Sequence, residues 1–159
     1  MLPVIPTDPD HLLELSRTMR RADREELLAS SGQSPLEALE EGYVLSSKTH
    51  TILTKEGQVV GVFGVAPNSV DPTVGHPWML ASDLLDDVKV SFLKQCRPVA
   101  DSLGEGYALL MNVCDKRNAV HIKWLRWLGY TFIREHPHYG VGKLPFLEFV
   151  KIGEDPCVA

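Results

Sequence analysis

The chain has 159 residues, 44% of them hydrophobic and 23% charged, with 16 Lys and Arg against 21 Asp and Glu and a formal net charge of −5. This length and apolar content suffice for one globular domain, expected over residues 1–152, with a core that needs neither disulfide nor metal. The negative balance argues against a protein that coats nucleic acid or an anionic membrane through its overall field.

Leu2–Ile5 reads as a short extended piece. Thr7-Asp8-Pro9-Asp10 then supplies cap and first-turn residues for a helix over His11–Arg21, with Leu12, Leu15 and Met19 on its buried face. A second short helix is expected over Arg24–Ala29, ending at Ser30-Ser31-Gly32. Ser34-Pro35-Leu36-Glu37 opens a third, with Ser as cap, Pro in the first turn and Glu three residues on, running to about Val44.

From Thr49 the period changes from helical to alternating. Thr49–Thr54 and Val59–Ala66 form a hairpin around Lys55-Glu56-Gly57-Gln58, and the Pro, Gly, Asn and Asp of residues 67–77 predict a loop leading into a strand over Trp78–Ser82. A long helix follows over Asp86–Leu103, with Val90, Leu93, Val99 and Leu103 inward and Pro98 expected to kink or split it. Strands over Tyr107–Val113, Tyr130–Arg134 and Phe146–Ile152 complete the sheet, the last two joined by a loop over His136–Pro145. Residues 153–159 are expected as a flexible tail. The order predicts an α+β fold, a mixed and mainly antiparallel sheet flanked by helices.

Cys96, Cys114 and Cys157 are odd in number and lack any zinc-site spacing, which predicts reduced thiols in a cytoplasmic compartment. No apolar run has the length of a membrane span, and MLPVIPTDPD lacks the order of a signal peptide.

The segment Asn118–Tyr130, NAVHIKWLRWLGY, reads as a short helix closing on a strand. Asn118 is its expected cap, Val120, Trp124, Leu125 and Leu128 recur at helical spacing, and Gly129 ends the turn. This strand, helix, Gly-aromatic, strand order resembles the C-terminal half of the GNAT acetyltransferases, where a helix begins with Asn and ends eleven residues later in Gly and an aromatic. In that family a tyrosine seven residues after the Asn protonates the departing thiolate, and here Leu125 stands at that place. The pattern of Asn118, His121, Ile122, Trp124, Leu125, Leu128 and Gly129, with WMLASD at Trp78–Asp83, is similar to a small family of T7-like phages whose best-known member is an internal virion protein needed for assembly.

The resemblance implies a cofactor loop of the form R/Q-x-x-G-x-G/A at the start of the helix after the central strand, where free amides and a positive helix end hold pyrophosphate. The corresponding residues, Ser82 to Lys89, contain neither Gly nor Arg and carry Asp83, Asp86 and Asp87, which suit a helix N-terminus by capping it. A like-charge contact at 4 Å costs about 4 kcal/mol at an effective dielectric near 20.

With cradle and general acid both missing, the expectation is a GNAT-like fold without chemistry: a non-catalytic phage protein of virion structure or assembly, needing no cofactor, in host cytoplasm or virion, bound to a virion component or host factor. The alternative is an acetyl-CoA-dependent N-acetyltransferase with a divergent loop, in which Asn118 contacts the cofactor, amides of Asp86, Asp87, Val88 and Lys89 hold phosphate, and His121 serves as base. A third reading is an inhibitor of a host protein. His121 otherwise reads as a packed histidine hydrogen-bonded near Asn118, and His136 and His138 as loop residues without a third metal ligand. For a partner surface, the candidates are a basic stripe of Arg17, Arg20, Arg21 and Arg24, and the ring of Trp127. The oligomeric state is left open.

Overall fold

The computed structural model describes residues 1–153 and has the expected α+β class. In chain order the elements are β1 (Val4–Pro6), α1 (Pro9–Thr18), α2 (Arg21–Ser30), α3 (Pro35–Leu45), β2 (Lys48–Leu53), β3 (Val59–Pro67), β4 (Val74–Ala81), α4 (Leu85–Leu103), β5 (Leu109–Asp115), α5 (Ala119–Trp127), β6 (Thr131–Tyr139) and β7 (Leu144–Ile152). The seven strands form one sheet in the order β1-β2-β3-β4-β5-β7-β6, antiparallel everywhere except between β4 and β5.

Local chemistry explains the helix starts. Asp8 caps α1 in a box closed by His11, and Ser34 caps α3 in a box closed by Glu37, each followed by Pro in the first turn. The helix expected through Arg21 stops at Thr18, because Met19 turns extended (φ −58°, ψ 137°), buries its side chain and bridges to Ser82. This break re-aims the chain so that α2 starts at Arg21.

A hydrophobic cluster covers each face of the sheet. Leu12, Leu15 and Met19 of the α1 segment and Leu39 of α3 pack on Val59, Val62 and Leu80, with Trp78 laid against Gly42 and its Nε1 donating to Ser46 Oγ at 2.8 Å. On the other face, α4 and α5 pack on Phe63, Val65, Leu110, Cys114 and Phe149.

Several expectations are corrected. The loop before β4 is shorter than residues 67–77, since β4 already begins at Val74. Helix α4 runs unbroken through Pro98, and its inward face is Phe92, Cys96, Val99 and Leu103, which leaves Val90 64% exposed. Val120 is likewise exposed. The loop expected over His136–Pro145 shrinks to a turn, because β6 and β7 pair as far as Tyr139↔Leu144 and His136 bonds Glu148 at 3.0 Å across the ladder. Cys96 and Cys114 are free and buried, whereas Cys157 and all of the expected tail beyond Gly153 lie outside the described residues. Among the described residues no helix is long and apolar enough to cross a membrane, and no group of three His, Cys, Asp or Glu could hold a metal.

The parallel junction is short: only Val74↔Leu109 and Gly75↔Leu110 pair. A Cβ on Gly75 would lie 2.8 Å from Val65 Cγ2 and 2.9 Å from Tyr107 Cδ1. Gly75→Ala is therefore expected to destabilise the protein by about 1–3 kcal/mol in urea unfolding, as overpacking does; unchanged stability would show that the junction is loosely packed.

Candidate active site

Beyond Gly75 and Leu110 the two strands diverge, and side chains take over the bonds that a ladder would have made. Near the junction His76 Nδ1 meets Met111 O at 2.9 Å, and Asn112 Nδ2 donates to Pro77 O at 2.9 Å. At the far end α2 reaches in: Ala81 N–H donates to Asp23 Oδ2 at 2.9 Å, and Asp115 N–H donates to Glu26 Oε1 at 2.6 Å. Val113 N–H is taken by Asn112 Oδ1.

Strand alternation identifies what is left. Ser82 N–H donates to Val60 O on the β3 side, so the odd residues of β4 face the split; Lys116 N–H donates to Pro145 O on the β7 side, so the odd residues of β5 face it too. The N–H and C=O of Met79 and the C=O of Val113 therefore point into the split with no strand to bond them. Main-chain groups so placed require a polar partner.

A cavity of about 570 Å³ passes through this split. Leu27, Ala38 and Gly42 line it on one face of the sheet, Phe92, Trp124 and Leu125 on the other, with Met79 and Val113 between them. Among the described residues its lining holds the carboxyl groups of Glu26 and Glu41 and no Lys or Arg.

Glu26 and His121 face each other there. Glu26 Oε2 lies 4.0 Å from His121 Nδ1, both side chains are 13% exposed, and the distance is too long for a direct hydrogen bond. His121 Nδ1 is buried with no partner among the described residues. Burial pushes the Glu26 carboxyl up to about 8, against the lowering effect of the Asp115 amide, with Asp23 and Asp115 adding to the rise. Burial also pushes the His121 imidazole down, so it stays neutral at pH 7. Asp23 differs from Glu26 in having a cation in contact: Arg20 Nη1 at 3.2 Å, together with the Asn118 amide at 3.2 Å.

Of the candidate catalytic, cofactor-binding and partner residues named from sequence, only His121 lines the cavity among the described residues, together with Trp124, Leu125 and Leu128 of the helix pattern that carried the resemblance. Asn118 is 3% exposed, makes no side-chain cap, and turns its amide to Asp23, which leaves its Oδ1 unpartnered; it supports the site from behind. Among the described residues His121 Nδ1 does not make the hydrogen bond expected near Asn118. The acids before α4 do not cap it either. Ser82 Oγ takes the Leu84 amide, and the amides of Leu85, Asp86 and Asp87 bond back to Ser82, Asp83 and Leu84, so the first turn, Val88 and Lys89 beyond it, offers no cradle to a diphosphate.

The arginines do not make one stripe, because the break at Met19 puts them on two helices: Arg20 turns in to Asp23, Arg21 pairs with Glu25 at 2.8 Å, and Arg17 and Arg24 are exposed. Trp127 is half exposed beneath the Arg97 guanidinium, 4.9 Å from its ring. Glu26 escaped the sequence reading as one acid in a mixed-charge helix. The available signal was spacing, since Asp23, Glu26 and Ser30 share the helix face that carries buried Ala29.

No family model and no curated protein sequence matches the chain. Solved structures do match it in fold. A GCN5-related N-acetyltransferase from Kribbella flavida superposes with a TM-score of 0.70 at 16% identity, covering 95% of this chain and 97% of that one. A GNAT phosphinothricin acetyltransferase from Sinorhizobium meliloti, in complex with AcCoA, gives 0.64 at 13% identity over 98% and 91%. RimL, a ribosomal L7/L12 alpha-N-protein acetyltransferase in complex with coenzyme A, gives 0.66 at 10% identity over 95% and 93%. The fold is GNAT-like. The expectation of a non-catalytic phage assembly protein is corrected by these matches, which are acetyltransferases, two of them with cofactor, and which lend the virion family no support.

The Glu26 shift has a signed consequence for stability. Its folded value lies above the unfolded one, 4.5, so its contribution is full below pH 4.5 and is lost as pH rises toward 8. Relative to Glu26→Gln, the wild type should lose stability over that window at up to about 1.4 kcal/mol per pH unit in denaturant titrations. Parallel curves would show that Glu26 is ionised in the folded protein. His121 acts with the opposite sign, lowering stability as pH falls below 6.5, and is common to both proteins.

Proposed function

We propose that the chain is an N-acyltransferase that moves an acyl group, acetyl in the simplest case, from a coenzyme A thioester to a primary amine. The observation that carries this reading is the open main-chain edge of Met79 and Val113 beside the Glu26–His121 pair, inside a cavity that crosses the sheet. An arm bearing amide groups fits that edge, with the Met79 N–H as donor and the C=O groups of Met79 and Val113 as acceptors. Acetyl-CoA supplies such an arm and, at its end, an activated thioester carbonyl.

The first turn of α4 gives no free amide to a diphosphate, so recognition falls on the arm. The fold likeness to acetyltransferases found with AcCoA and coenzyme A supports the same donor. A primary amine in its neutral form suits an acceptor side whose carboxyl groups among the described residues are those of Glu26 and Glu41, with no Lys or Arg in the lining.

Glu26, in its ionised form, takes the proton from the amine as the nitrogen bonds the acyl carbon, and returns it to the sulfur as the C–S bond breaks. The proton count closes without a tyrosine at Leu125. Its raised basicity suits the first half of this task and its low exposure keeps water from competing. Neutral His121 accepts a hydrogen bond from the amine through the otherwise unpartnered Nδ1 and so positions it.

Thiol release from acetyl-CoA with a panel of primary amines tests the reading. Glu26→Gln should lower kcat/KM by about 10²- to 10³-fold, with donor affinity held within twofold in calorimetry. In the wild type kcat/KM should climb with pH toward 8, and this rise should be missing from the variant. Neither thiol release nor donor binding in the wild type would overturn the proposal.

A further inference from the structure

The cavity extends well past the reacting groups on the α4 side of the sheet. From Met79 in β4 its wall continues through Phe63 in β3 and Ile52 in β2 to Val4 in β1, roofed by Phe92, Val99 and Ala100 of α4. At the β1 end Gln95 ties α4 to the strand: its Oε1 accepts from Leu2 N–H at 2.8 Å and its Nε2 donates to Leu2 O at 2.6 Å, so this amide is already paired. Cys96 Sγ is met by Trp124 Nε1 at 3.2 Å. The walls of this arm thus present hydrocarbon and aromatic surface, with their polar atoms already paired.

Protein interiors are close-packed, and an apolar void costs stability in proportion to its volume. A lined channel of this extent fits a ligand of the same chemistry. The split divides the cavity by polarity. Glu26 and Glu41 stand on the α2 and α3 side, suited to the amine, and the dry arm lies on the side of α4 and α5, suited to the group attached to the thioester carbonyl.

We infer that the arm under α4 is the binding site for the hydrocarbon tail of the donor, and that the enzyme takes medium-chain acyl thioesters in preference to acetyl. The inference rests on the acyltransferase reading above. The length follows from the sheet: three strand spacings of about 4.8 Å, from β4 to β1, give roughly 14 Å, the extended length of an acyl chain of about ten carbons. Ala100 is the small residue of the roof, and a larger side chain there shortens the channel.

The experiment is a calorimetric series with acetyl, butyryl, hexanoyl, octanoyl, decanoyl and hexadecanoyl thioesters, presented both on coenzyme A and on pantetheine. The dissociation constant should tighten roughly two- to fourfold per methylene up to about ten carbons and then weaken, on both carriers. Ala100→Phe should cut the ratio of decanoyl to acetyl affinity at least tenfold, with far-UV circular dichroism checking its fold; the wild-type series decides the question if that variant does not fold. Acetyl binding with no dependence on chain length would overturn the tail site and leave the acyltransferase reading standing. Affinity that keeps tightening to hexadecanoyl would overturn the medium-chain length. Failure of every thioester to bind on either carrier would remove both readings.

Discussion

The site depends on one constraint: two carboxyl groups of α2, one helical turn apart, hold open the ends of two strands that would otherwise pair. Ala81 and Asp115 carry the last amides facing the split, and Asp23 and Glu26 supply the acceptors that a continued ladder would have supplied. With those amides satisfied, divergence after two rungs carries no penalty of orphaned donors at the strand ends. Among the described residues the unmet groups lie in the middle, at Met79 and Val113, beside the cavity. The proposed reactivity draws on the same pair of acids that caps the strand ends. Asp23 has Arg20 in contact and serves as a strut; among the described residues Glu26 has no cation in contact, and burial raises its carboxyl, which is what the proposed proton transfer needs.

Features set by neighbouring residues were legible in the sequence. Ser34-Pro35-x-Glu37 specified its capping box, Gly129 takes the left-handed conformation (φ 94°) that ends α5, and the Asn118–Gly129 pattern pointed to the right fold. Features set by contacts between distant segments were hidden. Nothing local marks Met19 as the place where a helix must break to meet Ser82, and Val90 satisfies helical periodicity as well as Phe92 until the sheet selects a face. The same limit misled the functional expectation. It weighed the acids before α4, which are visible in a short window, and had no view of Glu26, which acquires its chemistry only when β4, β5 and α5 converge on it.

The acid-rich turn before α4 is the part of the molecule that fits a nucleotide cofactor least, and the split is the part that fits its arm best. On the acyltransferase proposal, recognition of a thioester by its middle and its tail would place the binding energy in main-chain hydrogen bonds and apolar burial, terms that salt screens weakly. A diphosphate would then contribute little, and the charge of Asp83, Asp86 and Asp87 would be accommodated. In that proposal the long helix roofs a hydrophobic channel, and the small helix α2 supplies the acid at the reacting end.

The most direct measurement is the amide NMR spectrum of the protein titrated with acetyl-CoA. The Met79 amide, the donor in the split without a partner among the described residues, should show the largest shift and gain protection from hydrogen exchange, with Ala81 and Asp115 held nearly still by the carboxyl groups of Asp23 and Glu26. Saturable binding that leaves Met79 unmoved and shifts the first turn of α4 would contradict the account.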